Sequence, residues 1–201
     1  MTPCGVSIPR RAAAACGIAG PVAFVTGWLV NGLRIDGYDP LSDAISQLAR
    51  EGAPTRTTMT LAFIAFGVLV PLWAGTVAKE LGAPALRPVV ITAGLATLAV
   101  AAIPLSRDPG GTQDLLHGVV AGIGYVAMAL TPLVAAAALR RSGRRPAALA
   151  SLAVGAISVA ALVATLFADG SGGFQRLGLT VVDAWHVAAG VWVLQRAAGR
   201  T

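Results

Sequence analysis

Apolar residues in this chain form six long runs, and the short segments between them hold almost every charged side chain. A helix rises about 1.5 Å per residue and a bilayer core is about 30 Å thick, so about twenty apolar residues make one crossing. The pattern therefore predicts an all-α fold, a polytopic membrane bundle of six transmembrane helices in a single domain over residues 1–201. The predicted spans are 12–33, 57–78, 88–106, 115–139, 146–168 and 177–195.

The loop after the first span carries a helical pattern of its own. The Asp-Pro pair at 39–40 is typical of an N-cap followed by proline at the first helical position. Leu41, Ile45 and Leu48 then share one side by their i, i+4, i+7 spacing. We therefore predict a short amphipathic helix that ends near Arg50 and lies at the membrane interface. This helix either roofs a cavity between the spans or is only a rigid surface loop.

The overall composition supports a membrane location. The chain is 56% hydrophobic and only 12% charged, which leaves too little polar surface to cover a soluble globule. A net charge of +6 would suggest a nucleic-acid partner if the protein were soluble. Because the basic residues lie at the ends of the spans and not in one patch, we predict membrane lipids as partners and no nucleic acid.

The basic residues also predict the orientation. If the N-terminus is cytoplasmic, ten Lys and Arg side chains fall on inner segments and five on outer loops. That bias is typical of helical membrane proteins, so we predict a multi-pass protein with both termini in the cytoplasm. The amphipathic helix then lies in the first outer loop, and the outer loops hold seven of the nine carboxylates. The inner basic residues are Arg10, Arg11, Lys79, Arg87, Arg140, Arg141, Arg144, Arg145, Arg196 and Arg200.

Small and aromatic residues inside the spans indicate how the helices pack. Gly118 and Gly122 form a small-xxx-small pair, which predicts a close contact between helices in lipid. Trp28, Tyr125 and Trp185 can stabilise a cation through their ring faces, or they can serve as interface anchors or packing residues.

Two acid–histidine pairs have the i, i+3 spacing at which side chains can meet on one side of a helix. Asp114 and His117 open the fourth span, where a carboxylate that orients an imidazole serves proton transfer, metal ligation or only stability. Asp183 and His186 lie inside the last span, with Trp185 between them. An unpaired ionised carboxylate at that depth costs at least about 2.5 kcal/mol, so the second pair must face protein. It is either a functional site or a structural pair that holds the bundle together.

Four short motifs resemble a known family. They are Tyr-Asp-Pro-Leu-Ser-Asp-Ala-Ile-Ser-Gln-Leu at 38–48, Pro-x-x-x-Asp-Pro at 104–109, His-Gly at 117–118 and Gln-Arg-Leu at 175–177. In their order and spacing they resemble the bacterial integral membrane family catalogued as domain of unknown function 998. The resemblance implies a compact multi-helix protein of the bacterial cytoplasmic membrane whose recurrent polar residues gather near one membrane face. The positions carried over are Asp43, Ser46, Asp108, His117, Gln175 and Arg176.

The resemblance supplies no reaction, and two classes of function fit the residues. The first is a protein that binds a lipid or isoprenoid in an outer-leaflet pocket, or that assists a partner protein whose identity the sequence does not give. Its candidate binding residues are Ser46, Gln47, Asp108, Gln175, Arg176 and Trp185. The alternative is an intramembrane enzyme that acts on an amphiphile by acid catalysis, such as an isoprenoid (terpene) cyclase. Its candidate catalytic residues are Asp43, Asp114, His117, Asp183 and His186.

The sequence favours neither a metal nor a cofactor. The chain has two histidines in total, whereas a catalytic zinc site takes three good protein ligands. It also has no glycine-rich phosphate-binding motif. We therefore expect no metal site and no cofactor.

Overall fold

The computed structural model describes residues 9–198, so Arg200 of the predicted inner basic set lies outside the described part. These residues form six α-helices and one short 3-10 helix, and the described range contains no strand. The α-helices are α1 (Arg10–Gly32), α2 (Arg56–Leu81), α3 (Leu86–Ala102), α4 (Thr112–Arg141), α5 (Arg145–Ala164) and α6 (Ser171–Ala198), and the 3-10 helix is Ile45–Ala49. The all-helical fold predicted from the apolar runs is confirmed.

Five of these helices, α1, α2, α4, α5 and α6, are long and apolar enough to cross a membrane. The sixth, α3, is apolar but has only 17 residues, which is about 25 Å of helix. The predicted span continued to residue 106, whereas the helix ends at Ala102. Pro104 explains the earlier end, because a residue before proline is pushed out of the helical region, and Ile103 has φ −117° and ψ 76°.

The helices form a closed ring. Each helix packs against its neighbours in the sequence, and α6 returns to pack against α1 and α5. Glycines bring the helix backbones together at the crossings, where an added Cβ would lie only 2.3–2.7 Å from the facing side chain. These contacts are Gly17 with Trp73, Gly94 with Pro71, Gly155 with Leu133, Gly178 with Leu162 and Gly190 with Ile18.

Gly118 and Gly122 do not take part in such a crossing, so the close contact predicted for them is wrong. A Cβ added at either position would meet nothing within 4 Å. The tight contact between α4 and α5 is made instead by Gly155 against Leu133. The i, i+4 spacing places two glycines on one face of a helix, but it does not decide whether that face meets a helix or lipid.

The predicted amphipathic helix from 40 to Arg50 is replaced by a turn followed by the 3-10 helix. In a continuous α-helix the Ile45 N–H would donate to the Leu41 carbonyl. Here the Ile45 N–H donates to Gln175 Oε1 (2.8 Å), and the Leu41 carbonyl accepts from the Gly173 N–H (2.8 Å). Ile45 and Leu48 are buried as the pattern predicted, whereas Leu41 is 66% exposed. Contacts from α6 therefore interrupt the helix.

The crossing of α2 and α3 gives a test of this packing. A Cβ at Gly94 would lie 2.3 Å from Pro71 Cγ, and the proline ring cannot move aside. We expect Gly94→Ala to destabilise the protein by about 1–3 kcal/mol, as overpacking typically does. The measurement is thermal unfolding in mild detergent. Gly75→Ala is the matched control, because an added Cβ there meets nothing within 4 Å and alanine favours the helix. Equal transition temperatures for the two variants would contradict the crossing.

Candidate functional site

The three loops that join α1 to α2, α3 to α4 and α5 to α6 meet at one end of the bundle, here called the long-loop end. The Glu51 N–H donates to the Leu105 carbonyl (3.0 Å), and Arg50 Nη1 donates to the Ser106 carbonyl (2.9 Å). At the start of α6, the Ser171 hydroxyl donates to the Ser42 carbonyl (3.3 Å). The polar motifs of the first loop, the second loop and α6 therefore lie together, although over a hundred residues separate them in the sequence.

Arg176 holds the first loop against α6. Its Nη1 donates to the carbonyls of Pro40 (2.6 Å), Asp43 (2.8 Å) and Gly172 (2.9 Å), and its Nη2 donates to the Tyr38 hydroxyl. The side chain is only 7% exposed. We call this set of five residues the clasp. The buried guanidinium makes four hydrogen bonds, and two of them go to carbonyl oxygens of the first loop, those of Pro40 and Asp43.

Aromatic rings and carbonyl dipoles stabilise the positive charge of Arg176. Its Cζ lies 5.3 Å from the ring centroid of Trp28 and 5.4 Å from that of Tyr38, within the range of cation–π attraction. Within residues 9–198 the one ion pair is Arg10 with Glu80, at the opposite end of the bundle. Burial raises the pKa of Tyr38 above its ordinary value of 10.0, although the Arg176 charge acts to lower it. The phenol is therefore neutral at neutral pH, and the guanidinium carries the charge.

The acids of the first loop hold its turn. The Asp39 carboxylate accepts from the Leu41 N–H (3.0 Å) and the Ser42 hydroxyl (2.6 Å). Asp43 Oδ2 accepts from the Asp39 N–H (2.9 Å). Gln47, a predicted binding residue, instead accepts from Arg50 Nε at 2.6 Å. These side chains stabilise the loop itself.

Asp114 has the same role in the second loop. Its carboxylate accepts from the N–H and the hydroxyl of Ser106 (2.7 and 2.9 Å) and from the Gly110 N–H (3.0 Å). Asp108 is exposed, and its carbonyl accepts from the Ser106 hydroxyl (2.7 Å). Asp114 makes no hydrogen bond to His117, so the predicted meeting of these two residues does not occur.

His117 is buried, with 5% exposure, and its Nδ1 lies 2.6 Å from the Ile103 carbonyl. Because a carbonyl oxygen only accepts, Nδ1 carries the hydrogen of this bond. In a neutral ring Nε2 is then an acceptor. His117 therefore presents a free acceptor nitrogen near the long-loop end of α4.

An interior cavity of about 50 Å³ lies below the 3-10 helix, between α2, α3, α4 and α6. Most of its lining is apolar, and no Lys, Arg, Asp or Glu lines it. Gln175 connects its walls: Oε1 accepts from the Ile45 N–H, and Nε2 donates to the Tyr125 hydroxyl. About 10–15 Å³ of such space is enough to hold one water, so the cavity is large enough to be hydrated. Its polar lining residues are Ser46, Thr97, His117, Tyr125 and Gln175.

A groove of about 370 Å³ runs on the outside of the bundle between α4 and α5. Gly118 and Gly122 form its floor, and an added Cβ at either would point into open space. Val126 and Val159 are among its exposed apolar walls. Tyr125 lines both this α4–α5 groove and the interior cavity. The ring of Tyr125 therefore lies between the groove on the outside of the bundle and the mostly apolar interior cavity.

Asp183 and His186 lie apart from this region and do not pair. His186 Nδ1 accepts from Trp73 Nε1 at 3.2 Å, and neither residue lines the interior cavity. Asp183 is 2% exposed, and its carboxylate oxygens have no hydrogen-bond partner within residues 9–198. Trp185 donates from Nε1 to the Ser151 hydroxyl (2.9 Å). Asp183 and His186 are both buried, as predicted, but they do not bond to each other.

The cavity therefore collects only a few of the residues predicted for a site. Of the catalytic candidates, His117 alone lines it, and of the binding candidates Ser46 and Gln175 do. Tyr38, a partner of Arg176, was not predicted as a site residue. The sequence feature that could have identified Tyr38 is its position as the first residue of the motif at 38–48.

The clasp gives a stability prediction. Lysine cannot reproduce the planar fork that reaches several carbonyls at once, so Arg176→Lys leaves buried oxygens unpaired. We expect a loss of about 1.5–3 kcal/mol, typical of hydrogen bonds to a charged group, measured by thermal unfolding in detergent. The control is Arg34→Lys, which changes an exposed arginine of the same loop that takes no part in the clasp. Unchanged stability in Arg176→Lys would contradict the role of the clasp.

The first loop gives a pH prediction. Hydrogen bonds from the Ser42 hydroxyl and the Leu41 N–H hold the pKa of Asp39 below its ordinary value of 3.8. A lowered pKa in the fold means that the stabilisation is present above 3.8 and is lost as the pH falls through the lowered value. We expect amide-exchange protection over residues 39–43 to fall at that acidic end. Asp39→Asn should remove this dependence, and Asp36→Asn should keep it. An identical acid response in all three proteins would contradict the assignment.

Comparison with known proteins gives one match. No curated protein and no solved structure matches this chain. A family model described as "Protein of unknown function (DUF998)" matches residues 18–192, which include all three loops of the long-loop end, the clasp and the residues around the interior cavity. The resemblance seen in the four motifs is confirmed. The chain belongs to the DUF998 family, whose description names no function.

Proposed function

We propose that this protein binds a lipid or isoprenoid at the outer leaflet of a bacterial cytoplasmic membrane, with the apolar chain of the ligand in the α4–α5 groove. The observation that carries the proposal is the glycine floor of that groove. Gly118 and Gly122 leave a depression in a surface that otherwise exposes large apolar side chains such as Leu115 (67%) and Val126 (61%). A depression of this kind receives a chain that lies along α4.

The size and chemistry of the groove suit an apolar chain. It extends from Gly118 to Leu130 along α4, about 18 Å of helix, and its volume is within the usual range for ligand sites. Thr165 is a polar residue in its wall, but its hydroxyl is bonded to the Leu162 carbonyl (2.6 Å). Tyr125 is therefore the one lining side chain with a polar group left for a ligand.

The proposal includes six membrane crossings with both termini in the cytoplasm. The α3 helix is about 5 Å shorter than a bilayer core, a mismatch that local thinning accommodates at modest cost. Arg10, Arg140 and Arg145 lie at the end opposite the long loops, and the positive-inside bias supports a cytoplasmic location for that end.

The arrangement supports binding over acid catalysis. Asp43 and Asp114 are engaged in the turns of their own loops, and Asp183 lies outside the interior cavity. A general acid must reach the reacting group of its substrate. None of these three carboxylates borders the α4–α5 groove.

Filling the groove tests the proposal. We expect the wild-type protein, purified in mild detergent, to carry an enriched lipid or isoprenoid that mass spectrometry detects. Gly122→Leu fills the floor and Val159→Trp fills the opposite wall, so both should lower the amount of that ligand at least tenfold. Gly75→Leu is the matched control, because Gly75 is an exposed helical glycine that lines neither the groove nor the cavity. Equal ligand in all four proteins, or bulk lipid only, would contradict the proposal.

A further inference from the structure

We infer that the interior cavity takes the polar end of the ligand and that this end is an uncharged hydroxyl, so the protein selects a long-chain alcohol over its phosphate ester. The inference rests on the proposed function, since the apolar chain is taken to lie in the α4–α5 groove. It adds the chemical class of the ligand. It also places Tyr125 between the apolar chain of the ligand and its polar end.

The position of Tyr125 connects the two spaces. Its side chain is half-buried and borders the groove on one side and the cavity on the other. A small displacement of this single ring joins them. The polar end of a ligand whose chain lies over Gly122 then reaches the cavity without leaving the protein surface.

The polar groups of the cavity match a hydroxyl. A hydroxyl donates one hydrogen bond and accepts others. His117 Nε2 is the acceptor, because Nδ1 is bonded to the Ile103 carbonyl. Tyr125 is the donor, because its oxygen accepts from Gln175 Nε2 and its own proton stays free. A hydroxyl that enters this cavity therefore finds an acceptor at His117 and a donor at Tyr125 among the lining residues.

The charge of a phosphate does not suit this cavity. A buried anion needs a cation or several donors, and no Lys or Arg lines this cavity. Arg176 does not line the cavity, and its two terminal nitrogens are already bonded to three carbonyls and the Tyr38 hydroxyl.

The experiment compares three probes that share one chain. Farnesol, farnesyl monophosphate and the hydrocarbon farnesene are titrated against the full-length protein in detergent, and the dissociation constants are read from thermal stabilisation. We expect farnesol to bind at least tenfold more tightly than either of the others. Farnesyl monophosphate binding as tightly as farnesol, or more tightly, would overturn the inference.

Three variants separate the hydroxyl contacts from the fold. Tyr125→Phe removes the donor, and His117→Asn keeps a donor toward the Ile103 carbonyl but removes Nε2. Each should reduce the preference for farnesol over farnesene at least tenfold and leave farnesene binding unchanged. Thr97→Val is the control, because the Thr97 hydroxyl lines the cavity but is bonded to the Ala93 carbonyl (2.9 Å). It should keep the wild-type preference.

The remaining outcomes distinguish the two proposals. If all three probes bind equally and Gly122→Leu abolishes their binding, the groove binds chains and the inference about the cavity is wrong. If Tyr125→Phe and His117→Asn keep the full preference for farnesol, the hydroxyl lies elsewhere and the inference is again wrong. If no probe binds the wild-type protein, the inference is wrong, and the ligand that copurifies with the wild-type protein and the groove variants decides the proposed function separately.

Discussion

The structure of the long-loop end depends on one buried cation, Arg176, whose charge is stabilised by hydrogen bonds to backbone carbonyls. A charged side chain removed from water is costly unless it is fully hydrogen-bonded. Arg176 finds its acceptors in the first loop, at Pro40 and Asp43, and in its own helix at Gly172. The same bonds satisfy loop oxygens that have no helical partner. The loop thus supplies acceptors to the cation, and the cation supplies donors to the loop.

The neighbouring residue extends this constraint into the interior. Gln175 satisfies the Ile45 N–H with one end of its amide and meets Tyr125 with the other. Adjacent residues on a helix point about 100° apart, so Arg176 holds the loop while Gln175 links the loop to α4. The 3-10 helix then roofs the cavity, with Ile45 and Ser46 in its lining. This roof is one of the two outcomes that the sequence pattern left open.

The sequence predicts those features that depend on neighbours along the chain. Six apolar runs predict six helices, because hydropathy over twenty residues is a local property. The end of α3 is also local, since Pro104 follows it within two residues, although the length of the apolar run concealed it. The first loop is different. Its amphipathic pattern is real, as the burial of Ile45 and Leu48 indicates, but its backbone partners come from α6, 130 residues away. No local pattern contains that information.

The same limit applies to the candidate site. The motifs of the three loops do converge at the long-loop end, as predicted from their position between the same ends of the helices, yet Asp39, Asp43 and Asp114 stabilise turns. Asp114 and His117 share a helix face but bond to different parts of the second loop and its border, Ser106 and Ile103. His186 takes its partner, Trp73, from α2 and not from Asp183. Spacing along a helix determines which side chains are near each other, whereas their rotamers and partners depend on the helices that pack against them.

In a bilayer, an apolar groove cannot select its ligand unless polar groups lie beside it. A chain that enters the α4–α5 groove leaves other hydrocarbon, so burial of apolar surface provides little drive. The glycine floor contributes van der Waals contact and orientation, but it cannot by itself distinguish one chain from the many around it. To select one ligand, the protein must recognise a polar group on it that lacks hydrogen-bond partners in the bilayer and finds them in the protein. In the proposed site the Tyr125 hydroxyl, from the side chain that borders both spaces, and His117 Nε2, in the cavity, would offer that environment. On this argument the small cavity determines selectivity, and the larger groove determines orientation.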